Sequence, residues 1–238
     1  MNPSRHSRHL VLDGIGERGI HAQSEAHLLI IGCGGLGQPV AMALGAASVG
    51  HITLVDNDTL QPTNLARLPP MAAVDVGKPK AALLAEMIHR NHPDQHITVL
   101  DTTVTPANLP ALLEHVDIVV DASDNWPTRK AIAQTCRHAG LPLISGGALG
   151  TDGWAGVFLP AGTPLETWLK QPEQMGDTCE SVGILSPLVG FIGNLMAMEA
   201  LKLVWQRANP TEWSVLESKV FYMDARRGTC LIMDMAAR

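Results

Sequence analysis

Cysteine is scarce in this chain: Cys33, Cys136, Cys179 and Cys230 are the only four in 238 residues, and no two of them form a Cys-x-x-Cys pair. That spacing excludes a zinc knuckle and a dense disulfide framework, and it fits a reducing compartment. Positive charge is also short. Lys plus Arg number 17 against 23 for Asp plus Glu, a net charge of −6, so no basic stripe is available for duplex nucleic acid and any anion must be held locally. Behind the N-terminal residues Arg5, His6, Arg8 and His9 there is no apolar run, so no signal peptide is read and a cytoplasmic location is expected. The most apolar stretch, Leu185 to Trp205, is broken by Pro187, Gly190, Gly193, Asn194, Glu199 and Lys202. Those residues are costly in hydrocarbon, which excludes a membrane span and leaves a buried helix. Heptads, repeats and low-complexity tracts are lacking too.

What is present is the composition of a globular chain, 46% apolar and 17% charged, long enough to bury roughly 70–75% of its unfolded surface. Short β-branched runs at His27–Ile31, His51–Val55, His96–Val104, Asp117–Asp121 and Pro142–Ser145 read as strands. Helical segments alternate with them at Leu36–Ser48, Lys78–Asn91, Pro106–His115 and Thr128–Ala139. This rhythm predicts the α/β class: a Rossmann-like, mostly parallel sheet with helices on both faces. After Gly150 come a strand-like Trp154–Leu159, a Pro/Gly/polar stretch from Pro160 to Gly183 read as a crossover loop, and the apolar helix Pro187–Trp205. Runs at Trp213–Leu216, Val220–Asp224 and Thr229–Asp234 are expected to extend the sheet with C-terminal antiparallel strands. Nothing marks a linker, so residues 1–238 are expected to form a single domain.

The sharpest local feature is Leu28-Leu29-Ile30-Ile31-Gly32-Cys33-Gly34-Gly35-Leu36-Gly37, a buried strand that runs through a glycine turn into a helix. Gly32, Gly34, Gly35 and Gly37 let backbone approach phosphates, and the helix N-terminus adds donors and partial positive charge. The second strand ends in Asp56, a carboxylate placed to accept ribose hydroxyls. Polar and cationic groups then follow successive strands in three stretches: Asp56 to Arg67, Gly77-Lys78-Pro79-Lys80, and Asp121 to Arg129. Hydride transfer to a nicotinamide has no need of so many.

Taken together, these pieces resemble the ThiF/MoeB/HesA family, the prokaryotic relatives of ubiquitin-activating E1 enzymes. The matching pieces are R-x-x-R (Arg5, Arg8), G-x-G-G-x-G (Gly32 to Gly37), D-x-D…N-L-x-R (Asp56, Asp58, Asn64, Arg67), the lysine of K-P-K (Lys80), and D-x-x-D-N-x-x-x-R (Asp121, Asp124, Asn125, Arg129). They fall in family order across residues 5–205. The resemblance implies an ATP-dependent adenylyltransferase that activates the C-terminal glycine carboxylate of a small ubiquitin-fold carrier protein ending in Gly-Gly, releasing pyrophosphate. It implies phosphate binding by Arg67 and Lys80 with Asn64 beside them and nucleotide contacts from Asp58 and Asn125. It further implies Mg²⁺ at Asp124, a homodimer in which Arg8 reaches the partner's ATP, and an apolar helix that serves as the seam. Cys179, within the crossover loop, matches a cysteine able to form a thioester or acyl-persulfide. The alternative is a free thiol without a catalytic role. Asp58 and Arg129 can equally be structural supports.

Several departures from the family pattern matter. The two Cys-x-x-Cys pairs that hold zinc in most relatives are missing, so no zinc is expected. The segment after Asn64 reads Leu65-Ala66-Arg67-Leu68-Pro69-Pro70, where relatives have N-L-Q-R-Q, and Trp126 is unusual within its motif. No sulfur-transfer domain follows in this sequence, so a separate sulfur-donor protein is expected. Thiamine, molybdopterin or another thiocarboxylate pathway fits this chemistry. Two other readings remain open: a relative that acts on a different carboxylate, such as a tRNA nucleoside or a peptide C-terminus, and a non-catalytic partner that docks ubiquitin-like proteins.

Overall fold

A computed structural model describes residues 3–169, 182–210 and 212–235. The chain opens with two helices, α1 (Pro3–Leu10) and α2 (Gly16–Glu25), before β1 (His27–Ile31). There follow α3 (Gly37–Ala46), β2 (His51–Val55), α4 (Lys80–Asn91), β3 (His96–Leu100), a four-residue α5 (Leu109–Leu112), β4 (Ile118–Asp121) and α6 (Trp126–Ala139). Then come β5 (Leu143–Leu149), β6 (Asp152–Phe158), a short α7 (Leu165–Trp168), the long α8 (Ser186–Ala208), β7 (Lys219–Asp224) and β8 (Thr229–Asp234).

All eight strands join one sheet in the order β3-β2-β1-β4-β5-β6-β7-β8. β1 to β5 pair in parallel and β5 to β8 pair antiparallel, so the expected mixed sheet is present. Alternation along each strand sends Leu28, Ile30, Ile52, Leu54, Ile118, Val120 and Ile144 to one face, under α2, α3, α4 and α8. Leu29, Ile31, Val55, Val119 and Leu143 go to the other, under α5, α6 and α7. A sheet covered on both faces explains why its strands read as apolar runs without alternation.

α8 lies against α2, α3, β5 and β6. By length and composition it could cross a membrane, yet 61% of its most apolar window is buried inside the fold. It is a core helix, as expected. Its buried Glu199 accepts from Lys202 Nζ at 2.5 Å and from the Leu216 amide at 2.8 Å, so the carboxylate is paired on both oxygens.

The structure departs from the sequence reading in places. The expected Trp213–Leu216 strand does not form: Trp213 stacks obliquely on Trp205, its indole N–H donates to the Gly14 carbonyl at 3.1 Å, and the segment meets the sheet at a single bridge between Glu217 and Val157, where the Val157 amide donates to the Leu216 carbonyl at 3.2 Å. Aromatic packing outcompetes the ladder there. β3 stops at Leu100, and the expected helix over Pro106–His115 shrinks to Leu109–Leu112. β5 runs past Ser145 through Gly146 and Gly147, because each of its residues pairs with β6 and the ladder overrides the glycines. α1 and α2 escaped the reading because their sequences are short and polar and their order comes from tertiary contacts. In α2, the buried Gln23 donates to the Ala47 carbonyl and accepts from the Trp205 indole N–H.

Candidate nucleotide site

The strand order sets β1 between β2 and β4, so the loops leaving β1 and β4 at their carboxyl ends diverge around a crevice. The glycine turn lies in it. Gly32 has φ +93°, open to glycine but strained for other residues, and a Cβ there would lie 2.7 Å from the Ala122 carbonyl oxygen. At Gly37 a Cβ would sit 1.7 Å from the Gly32 oxygen, so the turn closes only with glycine. At Gly34 a Cβ would meet nothing within 4 Å. Gly32, Gly37 and Gly35, whose Cβ would lie 2.6 Å from Val189 Cγ1, therefore serve packing, while Gly34 faces an open cradle at the N-terminus of α3, the geometry that suits a phosphate.

Asp56 stands at the end of β2 and joins two loops. Its Oδ2 accepts the Cys33 amide at 2.6 Å and its Oδ1 the Asp58 amide at 2.8 Å. Burial pushes its carboxyl above the usual range, and these hydrogen bonds together with nearby Lys80 pull it back. A carboxylate has about four lone-pair sites, so the two amide bonds leave capacity for ribose hydroxyls. Lys80, the first residue of α4, is 8% exposed. Its Nζ donates to Asp58 Oδ2 at 2.7 Å and its backbone N–H to the Asp58 carbonyl at 3.0 Å. The expected pair of Asp56 and Asp58 thus divides its work: Asp56 ties the glycine turn to β2, and Asp58 holds the lysine. Cys33, beneath them, has its thiol raised well above the usual range, first by burial and then by the Asp56 charge.

Asn64 is buried, and its Oδ1 accepts the Gln61 amide at 3.0 Å, closing a short 3₁₀ turn over Pro62–Asn64. The turn delivers Arg67, whose Nη1 donates to the Thr63 carbonyl at 3.1 Å and whose Cδ lies 3.5 Å from where a Gly35 Cβ would be. Leu68 and Met71 pack with Leu60, Leu83 and Met87 in a separate small core, so the altered segment after Arg67 is anchored. Pro69 and Pro70 stay exposed and, with Arg67, Gly35 and Met42, line a groove of about 560 Å³ reaching the start of α8.

β4 delivers the third stretch. Asp124 is exposed, aimed away from the core. Asn125 is the N-cap of α6, its Oδ1 accepting the Thr128 amide at 3.0 Å, while Trp126 opens the helix half-buried. Asp121 is fully buried and paired with Arg129, with Nε at 3.3 Å from Oδ2. Sequence reasoning missed Ser145 and Trp154, which complete this pair: Ser145 Oγ donates to Asp121 Oδ2 at 2.7 Å, and the Arg129 guanidinium lies 5.2 Å from the Trp154 ring centre. A serine closing the strand expected over Pro142–Ser145, beside the strand expected to end at Asp121, was the available signal. Arg8 is exposed on α1, which is docked by Arg5 donating to the Asn91 carbonyl at 3.0 Å. Cys179 lies outside the described residues. Among the described residues no three His, Cys, Asp or Glu side chains converge on a metal position, and a single exposed carboxylate such as Asp124 fits a cation that takes its other ligands from phosphate oxygens and water.

A glycine cradle at the end of a parallel strand, with Asp56, Lys80 and Arg67 gathered beside it, has the form of a nucleotide-binding α/β protein. The ThiF family profile matches residues 6–236, and the chain belongs to that family. It is 33% identical to a molybdopterin-synthase adenylyltransferase of Escherichia coli over 97% of this chain and 91% of that one. It is 32% identical to a SAMP-activating enzyme E1 of Haloferax volcanii over 93% of this chain and 81% of that one. The fold superposes on Escherichia coli MccB in a crystal structure with ATP, at a TM-score of 0.83 and 20% identity, covering 98% of this chain and 72% of that chain.

Proposed function

We propose that this protein is an ATP-dependent adenylyltransferase that activates the C-terminal glycine carboxylate of a small ubiquitin-fold sulfur carrier. The observation that carries this reading is the convergence of Lys80, through Asp58 and Asp56, with Arg67 on the Gly32–Gly37 turn. In the reaction a carboxylate oxygen of the carrier bonds to the α-phosphorus of ATP, the bond from that phosphorus to the oxygen bridging it to the β-phosphorus breaks, and pyrophosphate departs with the electron pair. Two anions are thereby brought together and a third is released. Arg67 and Lys80 hold the phosphates against the α3 N-terminus and offset that charge. Asp56 fixes the ribose, and Asn64 shapes the turn that aims Arg67. Asp124 would hold Mg²⁺, which would supply further charge neutralisation for the departing pyrophosphate.

In the same reading the enzyme is a homodimer. α8 leaves Phe191 46% and Met198 51% exposed on one stripe, a fit seam for a second copy, whose Arg8 would then reach across to the nucleotide. Residues 1–238 act as one adenylation unit in the cytoplasm.

The test is ATP–pyrophosphate exchange with the purified protein and small ubiquitin-fold carriers of its own source, each beside a version lacking the terminal glycine. Exchange that needs both carrier and glycine supports the reading. Mg²⁺-dependent ATP binding without exchange points to another carboxylate substrate, and absence of ATP binding points to a non-catalytic docking protein.

A further inference from the structure

The loop that carries Asp124, Ala122 to Asn125, is short and bears an exposed carboxylate, yet its backbone is bound on every side. Ahead of it, the Ala122 amide donates to the Ile31 carbonyl at 2.8 Å, and Ala122 closes on Gly32. Behind it, Asn125 caps α6. Between the two, Ser123 is held by one buried pair. Asp121 Oδ1 accepts the Ser123 amide at 3.0 Å and its hydroxyl at 2.5 Å, while Arg129 Nη2 donates to the Ser123 carbonyl. Arg129 thus bridges Asp121 and the residue immediately before Asp124. Arg129 is 8% exposed and its guanidinium lies over Trp154, so it is not offered to a ligand directly.

We infer that Arg129 is a positioning residue: with Asp121 beneath it and Trp154 above, it fixes the Ser123 peptide and so sets where the Asp124 carboxylate meets the nucleotide-bound cation. The inference rests on the assignment of Asp124 to Mg²⁺. The physical reason is geometric. Mg²⁺ tolerates little departure from octahedral distances, so a ligand on an unsupported loop binds it poorly. Arginine is the side chain able to make both contacts at once, because its planar fork offers Nε to Asp121 and Nη2 to the carbonyl in fixed relation. Lysine can satisfy one of them and keeps the charge that Asp121 needs.

The experiment measures the Mg²⁺ concentration that half-saturates the intact protein holding an unreactive ATP analogue with a methylene bridge between the α- and β-phosphates, read by calorimetry without turnover. Arg129→Lys is expected to raise it about tenfold, in the range typical for supports behind a metal ligand, with analogue binding in EDTA unchanged. Asp124→Ala should raise it at least as far, and the double variant no further than Asp124→Ala alone. Trp154→Leu, which keeps the buried ion pair, guards against a misfolded lysine variant and should shift the midpoint the same way, by roughly threefold. A folded Arg129→Lys with the wild-type midpoint overturns the inference and leaves the assignment of Asp124 standing, as does a shift that persists in full on the Asp124→Ala background. A wild-type midpoint in Asp124→Ala itself overturns both.

Discussion

At the scale of single residues, the glycine turn separates two roles that its sequence runs together. Gly37→Ala is expected to unfold or severely destabilise the protein, since the new methyl would collide with the Gly32 carbonyl, and thermal melting reads this directly. Gly34→Ala should melt like the parent and instead raise the KM for ATP, because its methyl enters the open cradle. Arg67→Ala and Lys80→Ala should each lower carrier-dependent exchange about 10²–10³-fold while leaving the melting temperature within a few degrees. The described thiols divide as well. Burial pushes Cys136 up to about 12 and Cys33 well above the usual range, whereas Cys230 is exposed on β8. Of these three, only Cys230 should react with iodoacetamide at pH 8 in the folded protein, as peptide mass mapping would record. The placements of Asp56 at a strand end and of Lys80 near a helix start were legible in the sequence. The contacts of Ser145 with Asp121 and of Trp154 with Arg129 were not, since they exist only after β5 and β6 pair beside β4.

Among the elements, β1, β2 and β3 begin in register with His27, His51 and His96, whose rings stack at 3.8 Å between neighbours. His27 and His51 are further held by Thr53 and Thr98 hydroxyls at 2.8 and 2.9 Å. Burial, then the neighbouring His27 and His96, lowers His51 from its ordinary 6.5 to about 4. The folded state therefore binds fewer protons than the unfolded chain between about pH 6.5 and pH 4, and stability must fall as pH drops through that window. Burial lowers His6 and His92 too, with the same sign, at the junction of α1 and α4. The melting temperature is expected to decline by a few degrees from pH 7 to pH 5, and His51→Gln should flatten the decline. The alternation of strand and helix was plain in the sequence because a sheet covered on both faces demands uninterrupted apolar runs. The margins were less plain: α1 and α2 have little propensity of their own, and the tryptophan pair that displaces the Trp213–Leu216 strand is a contact between elements.

For the molecule as a whole, the exposed stripe on α8 carries the expectation of a dimer. Phe191→Asp combined with Met198→Asp should give a monomer by light scattering at micromolar concentration, with exchange lost alongside if Arg8 acts across the seam; a wild-type protein already monomeric there removes the trans role of Arg8. The antiparallel extension was foreseen, but its register through Gly146 and Gly147 was not, because glycines in isolation signal a turn and only the partner strand makes them a ladder. The position of α8 has a consequence for how the chain is made. It roofs α2 and α3, and the Gln23–Trp205 hydrogen bond closes 182 positions of sequence. During synthesis the faces of the N-terminal helices that α8 covers therefore leave the ribosome bare, and they stay so until α8 follows some hundred and forty residues behind the end of α3. A nascent chain stalled before Ser186 should be sensitive to protease and bound by chaperones, and one stalled well beyond Ala208 should be neither.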